Sequence, residues 1–449
     1  MSRSRTIRDP LWGNIHVDAD AADLLDTAPF QRLRRVKQLG FTHLVYPGGA
    51  HSRFLHALGV YHLVGRAVHH LEQNGQLERL DSAEREALPI VRLAALLHDV
   101  GHYAFSHAME ELAPASIPGD HAEMARHFLE AEPIREVLER YGPGALDDVA
   151  ELIRGTSRHP LQGLVAGSLD LDKIDYLRRD ALFCGVPYGA VDVDRLLAAF
   201  TLANEDDGPL ELAVTTKGIS ALETLLFSKY QMFRNVYWHH AVRAATATFV
   251  RLVEGALRNG LLSREELAGP SDEELLALIA ARIEALHAGS AIDPASSVAR
   301  VESQLSALID RRLPKRVVEL TGDRLPDRIA SWPSRRPDLV SMLEKRLAGE
   351  WGAPEGSIIV DYPSYPGMLE LNVLLVRRDR AVRRLTTLGE RGLIDVPRIG
   401  RSLHHSARVL RVFSFEPVGE RGPEPILELI EASETGVEER LAAEEPLYV

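Results

Sequence analysis

The chain has 449 residues with a net charge of −13, 45% hydrophobic and 26% charged residues, and a single cysteine, Cys184. This composition is typical of a soluble globular protein of one to three domains, and the acidic charge argues against broad binding to nucleic acid or to an anionic membrane. One cysteine excludes an intrachain disulfide, and no apolar run approaches the roughly 18 residues of a membrane span or forms a secretory signal, so we expect a cytoplasmic protein.

The first part of the chain is predicted to be mainly helical. IRDPLWGNIHV predicts a brief strand or turn, and HLVYPG a small strand. Apolar residues at helical spacing predict a long amphipathic helix over SRFLHALGVYHLVGRAVHHLEQNG, and LPIVRLAALL predicts a buried one. A further helix is predicted over LDLDKIDYLRRDALFC, where acidic and apolar residues alternate.

The second part contains longer helices and then strands. The run from KGIS to LRNG is too long for one unbroken helix, so we expect it to bend at its aromatic cluster of Tyr230, Phe233, Tyr237 and Trp238. After about residue 350, IIVDY, LNVLLV and RVLRVFSF are rich in β-branched residues. We predict a mainly α fold with a helical core over 1–205, a helical extension over 206–345 and a small α+β domain over 346–449.

The doublet His98-Asp99 ends the buried helix, and a carboxylate placed there is unfavourable unless something compensates its charge. A divalent metal ion is a natural partner, because imidazole nitrogen and carboxylate oxygen both bind such ions. His56 and Asp172 lie on two other predicted helices with apolar stripes. Each alone has a plainer interpretation, a hydrogen-bonded core histidine or a helix cap, but together the four predict one metal site.

These residues lie in sequence motifs that resemble those of the HD-domain phosphohydrolase superfamily. The sequences RLRRVKQLG, YPGGAHSRFLHALGV, LLHDVGHYAFSH and DLDKIDYLRRD are similar to its deoxynucleoside triphosphate triphosphohydrolase branch, over roughly Asp9 to Arg243. Trp12 occupies the position at which the family's DPxHG motif has a histidine. The resemblance implies an HD-type helical core and hydrolysis of dNTPs to deoxynucleoside and inorganic triphosphate.

The same resemblance implies the site. Its metal ligands are His56, His98, Asp99 and Asp172, holding one divalent ion from among Mn, Fe, Co, Zn, Ni and Mg. His102, His107 and His121 match histidines beside the reacting phosphate, although capping or surface roles remain open for His107 and His121.

Substrate residues are implied in the same way. Arg53 and Lys173 match cations that bind phosphate. Tyr176 matches a tyrosine whose ring excludes a 2′-hydroxyl, and Asp180 matches an acceptor for the 3′-hydroxyl. Gln38 and Leu39 match residues that line the deoxyribose. The nucleotide pocket is matched by three residues for which ordinary helix packing is the alternative: Lys229, Tyr237 and His239.

Asp26, Gln31 and Arg34 match a guanine-recognising effector site that lies between subunits, so the resemblance also implies a nucleotide effector and a homo-oligomer, a dimer or tetramer. Asp26 is also a plausible helix cap. Three other functions stay open: a nucleoside monophosphatase, a phosphodiesterase acting on cyclic nucleotides or guanosine tetraphosphate, and a nucleotide sensor without turnover.

Overall fold

Helices make up most of the computed structural model, which describes residues 3–289, 293, 296–325, 332–363, 372–385, 395–443 and 446–448. The predicted mainly α class is confirmed. The helices up to residue 205 are α1 (Ala19–Leu25), α2 (Ala28–Arg32), α3 (Arg53–Gln73), α4 (Ser82–Glu86), α5 (Leu88–Leu97), α6 (His107–Glu110), α7 (His121–Leu129), α8 (Glu132–Leu138), α9 (Ala145–Arg154), α10 (Gln162–Val165), α11 (Leu171–Cys184) and α12 (Val193–Leu197).

Among the described residues, the later helices are α13 (Ile219–Met232), α14 (His240–Arg258), α15 (Asp272–Gly289), α16 (Ser297–Ile309), α17 (Trp332–Arg335), α18 (Pro337–Glu350), α19 (Val396–Ala407), α20 (Glu424–Glu431) and α21 (Glu434–Ala442). They include α14 and α15, the two longest after α3. No helix among the described residues is both long enough and apolar enough to cross a membrane.

The strands in the part of the chain that the structure describes are short and form three small sheets. They are β1 (Arg5–Asp9), β2 (Gly13–Val17), β3 (Phe200–Ala203), β4 (Glu211–Thr215), β5 (Lys315–Thr321), β6 (Ile358–Asp361), β7 (Leu374–Val376), β8 (Val382–Arg384) and β9 (Val409–Ser414). The sheet orders are β1-β2, β3-β4-β7-β8 and β5-β9-β6, with β4 and β7 parallel and the other pairs antiparallel.

Two of these sheets join segments that are distant in the chain. β4 of residues 211–215 pairs with β7 of residues 374–376, and β5 of residues 315–321 pairs with β9 of residues 409–414. Each sheet therefore contains strands from both sides of the predicted boundary at 345. The division into an extension and a separate α+β domain stays a prediction, and parts of its last hundred residues lie outside the described residues.

The helical core is built on α3, α5 and α11. The apolar residues of α3 recur at helical spacing, and Leu58, Tyr61 and Val64 are fully buried against this core. α5 is apolar on nearly all sides, which fits a helix enclosed by its neighbours. α11 begins at the side chain of Asp170, which caps it by accepting from Lys173 N, and ends at Gly185 in the left-handed conformation.

The predicted bend in the long helix occurs at its aromatic cluster. α13 ends at Met232, the wide turn Phe233–Tyr237 has π-helical hydrogen bonds, and α14 starts at His240. The extra residue in such a turn changes the direction in which the following side chains point. Tyr237 thereby faces the helical core.

The strand predicted at HLVYPG is wrong. Its first two residues, His43 and Leu44, end the 3₁₀ turn Gly40–Leu44, and the other four lie in turns and a bend. The reason is tertiary packing: Phe41 is buried and stacks on Phe105 at 4.4 Å between ring centroids, with Phe249 at 5.3 Å. Burial of this aromatic ring outweighs the weak strand preference of the local sequence.

Candidate metal centre and adjoining cavity

Three helices bring the predicted metal ligands together. His56 lies in the second turn of α3, His98 and Asp99 follow directly after α5, and Asp172 lies in the first turn of α11. Because α3 packs against both α5 and α11, these positions meet in the centre of the helical core. His56, His98 and Asp99 each offer a ligand atom within 4.8 Å of the others.

The fourth predicted ligand, Asp172, also belongs to this cluster. Its Oδ1 lies 2.8 Å from His56 Nε2 and 3.7 Å from His98 Nε2. Asp99 Oδ1 lies 3.3 Å from His98 Nε2, and the two Nε2 atoms are 3.3 Å apart. The four side chains thus direct two imidazole nitrogens and two carboxylates toward one region.

The opposite ring nitrogens are held by other groups. His56 Nδ1 is 2.7 Å from Asp175 Oδ2, and His98 Nδ1 is 2.8 Å from the carbonyl oxygen of Ala95. Acceptors at both Nδ1 atoms favour the tautomer that leaves each Nε2 with a free lone pair, which is the arrangement of metal-binding histidines. The donor set and its orientation therefore fit a divalent cation.

Asp175 is a functional residue that the sequence reasoning missed. Two bonds from Arg179 hold its carboxylate at 2.8 and 2.9 Å, and Trp12 Nε1 donates to it at 2.5 Å. Arg179 in turn donates to Asp9 at 2.8 Å. Trp12, which replaces the histidine of the family's DPxHG motif, thus donates a hydrogen bond to the carboxylate that orients His56. The spacing of three from Asp172 was the one available signal, since it places both acids on one helix face.

The electrostatics of the cluster favour a positive charge. Burial lowers the pKa of His56, but hydrogen bonds to Asp172 and Asp175 outweigh it and raise that pKa to about 10. For Asp99 burial raises the pKa, and the charge of Arg53 and the neighbouring histidines more than reverses this, so that its pKa lies well below the usual range. The carboxylates remain ionised at neutral pH, as metal ligands must be.

Arg53 connects the predicted metal ligand Asp99 to Ser106, in the segment that follows Asp99. Its Nη1 donates to Asp99 Oδ2 at 2.7 Å and its Nε to Ser106 Oγ at 2.6 Å. The remaining nitrogen, Nη2, is buried and has no hydrogen-bond partner among the described residues. A buried guanidinium nitrogen without a partner is unfavourable, so an anionic oxygen would stabilise it.

The three predicted catalytic histidines form a second cluster. His102 lies 5.8 Å from His107 and 5.3 Å from His121 between ring centroids. Glu110 joins them, with Oε2 2.9 Å from His107 Nδ1 and Oε1 3.3 Å from His121 Nδ1. His102 Nδ1 is also 3.1 Å from Asp99 Oδ1, which links the two clusters. Glu110 was not predicted.

The histidines of this cluster differ in charge. Hydrogen bonding to Glu110 raises the pKa of His121, with burial acting against it. Burial, and then the charge of Arg53, lowers the pKa of His102 well below its ordinary value. His102 is therefore neutral at physiological pH, whereas His121 retains a proton to higher pH than a free histidine.

A cavity of about 400 Å³ adjoins the metal cluster. Asp172 and His107 are in its wall. Most of the predicted substrate residues also line it: Gln38, Leu39, Lys173, Tyr176, Asp180, Lys229 and Tyr237. Asp180 is held inside the wall by His51 Nε2 at 2.9 Å and by the hydroxyl of Tyr237 at 2.6 Å.

His239 lies outside this cavity. It precedes α14, where its Nδ1 accepts from Ala241 N at 3.3 Å, and it lines a different cavity together with Arg316 and Arg411. The wide turn before α14 directs Tyr237 and His239 to different sides, which a continuous helix pattern does not reveal.

The predicted effector residues are near one another on α1, α2 and the turn after it. Asp26 pairs with Arg5, Gln31 Oε1 accepts from Arg34 Nε at 2.8 Å, and the Arg34 guanidinium lies 3.6 Å from the centre of the Phe54 ring. Asp26 lies at the C-terminal end of α1 rather than at its start, where Asp18 is the cap. The effector role stays a prediction.

The helices thus hold a histidine-aspartate cluster that fits a divalent metal ion, beside a cavity lined by two lysines. Residues 53–180 match the HD domain and residues 191–391 match the HD associated region. An uncharacterized protein of Methanocaldococcus jannaschii is 30% identical over 386 residues, which cover 85% of this chain and 74% of that protein. The chain belongs to the HD-domain phosphohydrolase superfamily.

Relatives with a named activity match a smaller part. The human deoxynucleoside triphosphate triphosphohydrolase SAMHD1 is 30% identical over 266 residues, which cover 52% of this chain and 42% of the human protein. The chain spans about half the length of most of the curated relatives it matches. The crystal structure of a phosphohydrolase from Bacteroides thetaiotaomicron superposes with a TM-score of 0.67 at 21% identity, covering 92% of this chain and all of that one, and so has the same fold.

Proposed function

We propose that this protein hydrolyses deoxynucleoside triphosphates to the deoxynucleoside and inorganic triphosphate. The observation that carries the proposal is the cavity wall, in which Asp172 of the metal cluster, the cations Lys173 and Lys229, and the hydrogen-bonded pair Asp180 and Tyr237 all face one space. The named activity of SAMHD1 supports the same substrate class.

The phosphate end of a nucleotide fits the side of the cavity near the metal cluster. Lys173 and Lys229 contribute two ammonium groups there, and the unpartnered Nη2 of Arg53 lies beside Asp99 in the adjoining cluster. A triphosphate carries several negative charges, and charge-assisted hydrogen bonds are the contacts that hold it best. Lys173 is already held by Asp170 Oδ2 at 2.6 Å and by the Gly167 carbonyl oxygen at 2.7 Å, whereas an uncharged substrate would leave the buried Nη2 of Arg53 without a partner among the described residues.

The sugar fits the middle of the cavity. The Asp180 carboxylate is fixed by two hydrogen bonds and can accept one from a ribose hydroxyl. Tyr176, Gln38 and Leu39 line the adjacent wall, where a side chain close to C2′ would reject a 2′-hydroxyl sterically. This arrangement favours a deoxyribose over a ribose.

His56, His98, Asp99 and Asp172 would hold the divalent ion, which supplies a polarised phosphate oxygen and a more acidic bound water. In the reaction a water oxygen bonds to the α-phosphorus, the bond from phosphorus to the 5′-oxygen breaks, and the 5′-oxygen takes up a proton. Neutral His102 can accept the proton of the attacking water, and His121, whose pKa is raised by Glu110, can stabilise the developing charge when it is protonated. His107 faces the cavity and is placed to donate to the 5′-oxygen.

The test is an activity screen in which every product is identified. Purified protein supplied with each divalent metal in turn is incubated with dNTPs, NTPs, nucleoside monophosphates and cyclic nucleotides, and products are separated by ion-exchange chromatography. We expect inorganic triphosphate from dNTPs, little from NTPs, and none from the metal-ligand variant His98→Ala. Inorganic phosphate from monophosphates or an opened cyclic phosphate would indicate the other phosphohydrolases, and calorimetric dNTP binding without turnover would indicate a sensor.

A further inference from the structure

The segment that places His107 in the cavity wall has an unusual backbone. Phe105 and Ser106, which directly precede His107, have φ angles of +56° and +53°. Positive φ is uncommon for residues with a Cβ and is an outlier for a bulky one such as phenylalanine. Such a conformation persists only where surrounding groups hold it, and it is found most often at functional sites.

The group that holds this turn comes from a distant helix. Asp272 begins α15 and is fully buried, and its Oδ1 accepts the backbone N–H of Phe105 at 2.7 Å. Its Oδ2 accepts the backbone N–H of Lys37 at 3.0 Å. One carboxylate therefore joins two loops of the helical core, and both loops continue into the cavity wall, one with Gln38 and the other with His107.

A carboxylate at the start of a helix ordinarily satisfies that helix's own N–H groups. The hydrogen bonds of Asp272 instead go to the other two loops. Glu274 instead binds back to the residue before the helix, since its Oε2 accepts from Ser271 N at 2.8 Å, and it also pairs with Arg35 at the surface. The buried position of Asp272 is therefore explained by what it does for the loops rather than for α15.

A second contact joins the same two loops. Ser106 Oγ lies 3.3 Å from the carbonyl oxygen of Lys37 and accepts from Arg53 Nε at 2.6 Å. Phe105 is fixed on its other side by stacking on Phe41. The backbone N–H bond from Phe105 to Asp272 is thus one of a small set of contacts that keep the turn in the positive-φ conformation.

We propose that Asp272 is a positioning residue of the active site, through which α15 holds the Lys37–Leu39 and Phe105–His107 loops in register with each other. It acts on His107 and Gln38 through their backbones and not by contact with substrate. The proposal rests on the proposed function for its kinetic consequence, but its structural consequence is independent of that function.

The first test is Asp272→Asn, which keeps the size of the side chain but offers a single acceptor oxygen for two N–H groups. We expect kcat for dNTP hydrolysis to fall about tenfold or more, because small displacements of catalytic groups have effects of this size. We also expect faster amide hydrogen exchange in residues 100–112 by mass spectrometry. The matched control is Glu274→Gln, two residues away and exposed, which should change neither.

Glycine at position 106 separates a role in holding the turn from a general role in stability, since glycine adopts positive φ without steric cost. Ser106→Gly has a cost of its own, so the comparison is the effect of Asp272→Asn in each background. We expect a smaller fold-change in kcat and in exchange when Ser106 is replaced by glycine. Equal losses in both backgrounds, or unchanged exchange over residues 100–112, would overturn the proposal.

Two further outcomes are covered by the design. If Asp272→Asn does not fold, Asp272→Glu can replace it, because glutamate retains both oxygens on a longer side chain. We then expect faster amide exchange over residues 100–112, by a smaller factor. Unchanged exchange in this variant would count against the proposal. If the wild type releases no triphosphate from dNTPs, the proposed function fails while the exchange measurement still tests the role of Asp272.

Discussion

His56 is held at Nδ1, the ring nitrogen that faces away from the predicted metal position, and this decides how well it can serve as a ligand. Asp175 holds Nδ1 at 2.7 Å, and the carboxylate of Asp175 is itself held by Arg179 and Trp12. The close packing depends on Gly59, where a Cβ would come within 1.9 Å of Asp175 Oδ1. Each of these groups acts on the metal centre through the orientation of one imidazole.

Replacing Asp175 by asparagine tests this chain of contacts. An amide can present its NH₂ to Nδ1 and so favour the tautomer that places a proton on Nε2, where the metal would bind. We expect metal affinity to fall roughly 10- to 100-fold, as for other outer partners of metal-binding histidines. Isothermal titration of metal into apoprotein measures this, with Asp194→Asn at an exposed ion pair as the control. Unchanged affinity in a folded variant would contradict the role assigned to Asp175.

At the scale of elements, α11 and α13 each contribute a lysine to the cavity. Lys173 follows the metal-ligand position on α11, and Lys229 lies in the last turn of α13. Burial, and then the charge of Lys173, lowers the pKa of Lys229 to about 8. The pKa of Lys173 is raised instead, because the charges of Asp170 and Asp172 outweigh its burial. Only Lys229 therefore changes charge in the mildly alkaline range.

This difference predicts a pH dependence of substrate binding. Lys229 is cationic below its lowered pKa and neutral above it, so affinity for an anionic nucleotide should weaken as the pH rises through about 8. KM for a dNTP, measured from about pH 7 to about pH 9.5, should increase over this range. In Lys229→Arg the side chain stays charged throughout, and the increase should disappear. An equally steep increase in that variant would assign the effect to another group.

The helices and one break between them were predictable from sequence, whereas the connection before α3 was not. Apolar residues predicted α3, α5 and α11, and the aromatic cluster marked the break between α13 and α14. The strand predicted at HLVYPG failed because Phe41 is buried by residues far away in the chain.

The same limit applies to the site. The predicted ligand set, His56, His98, Asp99 and Asp172, followed from recognisable motifs and from resemblance. Asp175 and Asp272 did not, since each acts through a partner more than a hundred residues away. Asp175 lies near a predicted ligand, and Asp272 lies at an ordinary helix start. Neither local sequence pattern distinguishes a carboxylate that orients another group from a carboxylate at the surface.

At the scale of the whole molecule, Arg243 joins the cavity beside the predicted metal ligands to the sheet that contains β6. From α14 it donates to both oxygens of Glu111, at 2.7 and 2.8 Å, and to both oxygens of Asp361 in β6, at 3.0 and 2.5 Å. Glu111 directly follows α6, which begins at His107, and both Glu111 and Arg243 line the cavity. The C-terminal sheet therefore contacts the wall that carries a proposed catalytic histidine.

Arg243→Gln removes the single cation between these two carboxylates. Arg243 and Asp361 are almost completely buried, and breaking a buried ion pair typically costs about 3–5 kcal/mol because the remaining charge has no partner. We expect a loss of that size in the free energy of unfolding measured with denaturant, whereas Arg66→Gln, which breaks an exposed pair with Asp194, should cost about 1 kcal/mol or less. Adding Asp361→Asn to Arg243→Gln should recover part of the loss, because it removes the buried charge left behind. If Arg243→Gln is no less stable than Arg66→Gln, the sheet and the cavity are not coupled through this residue.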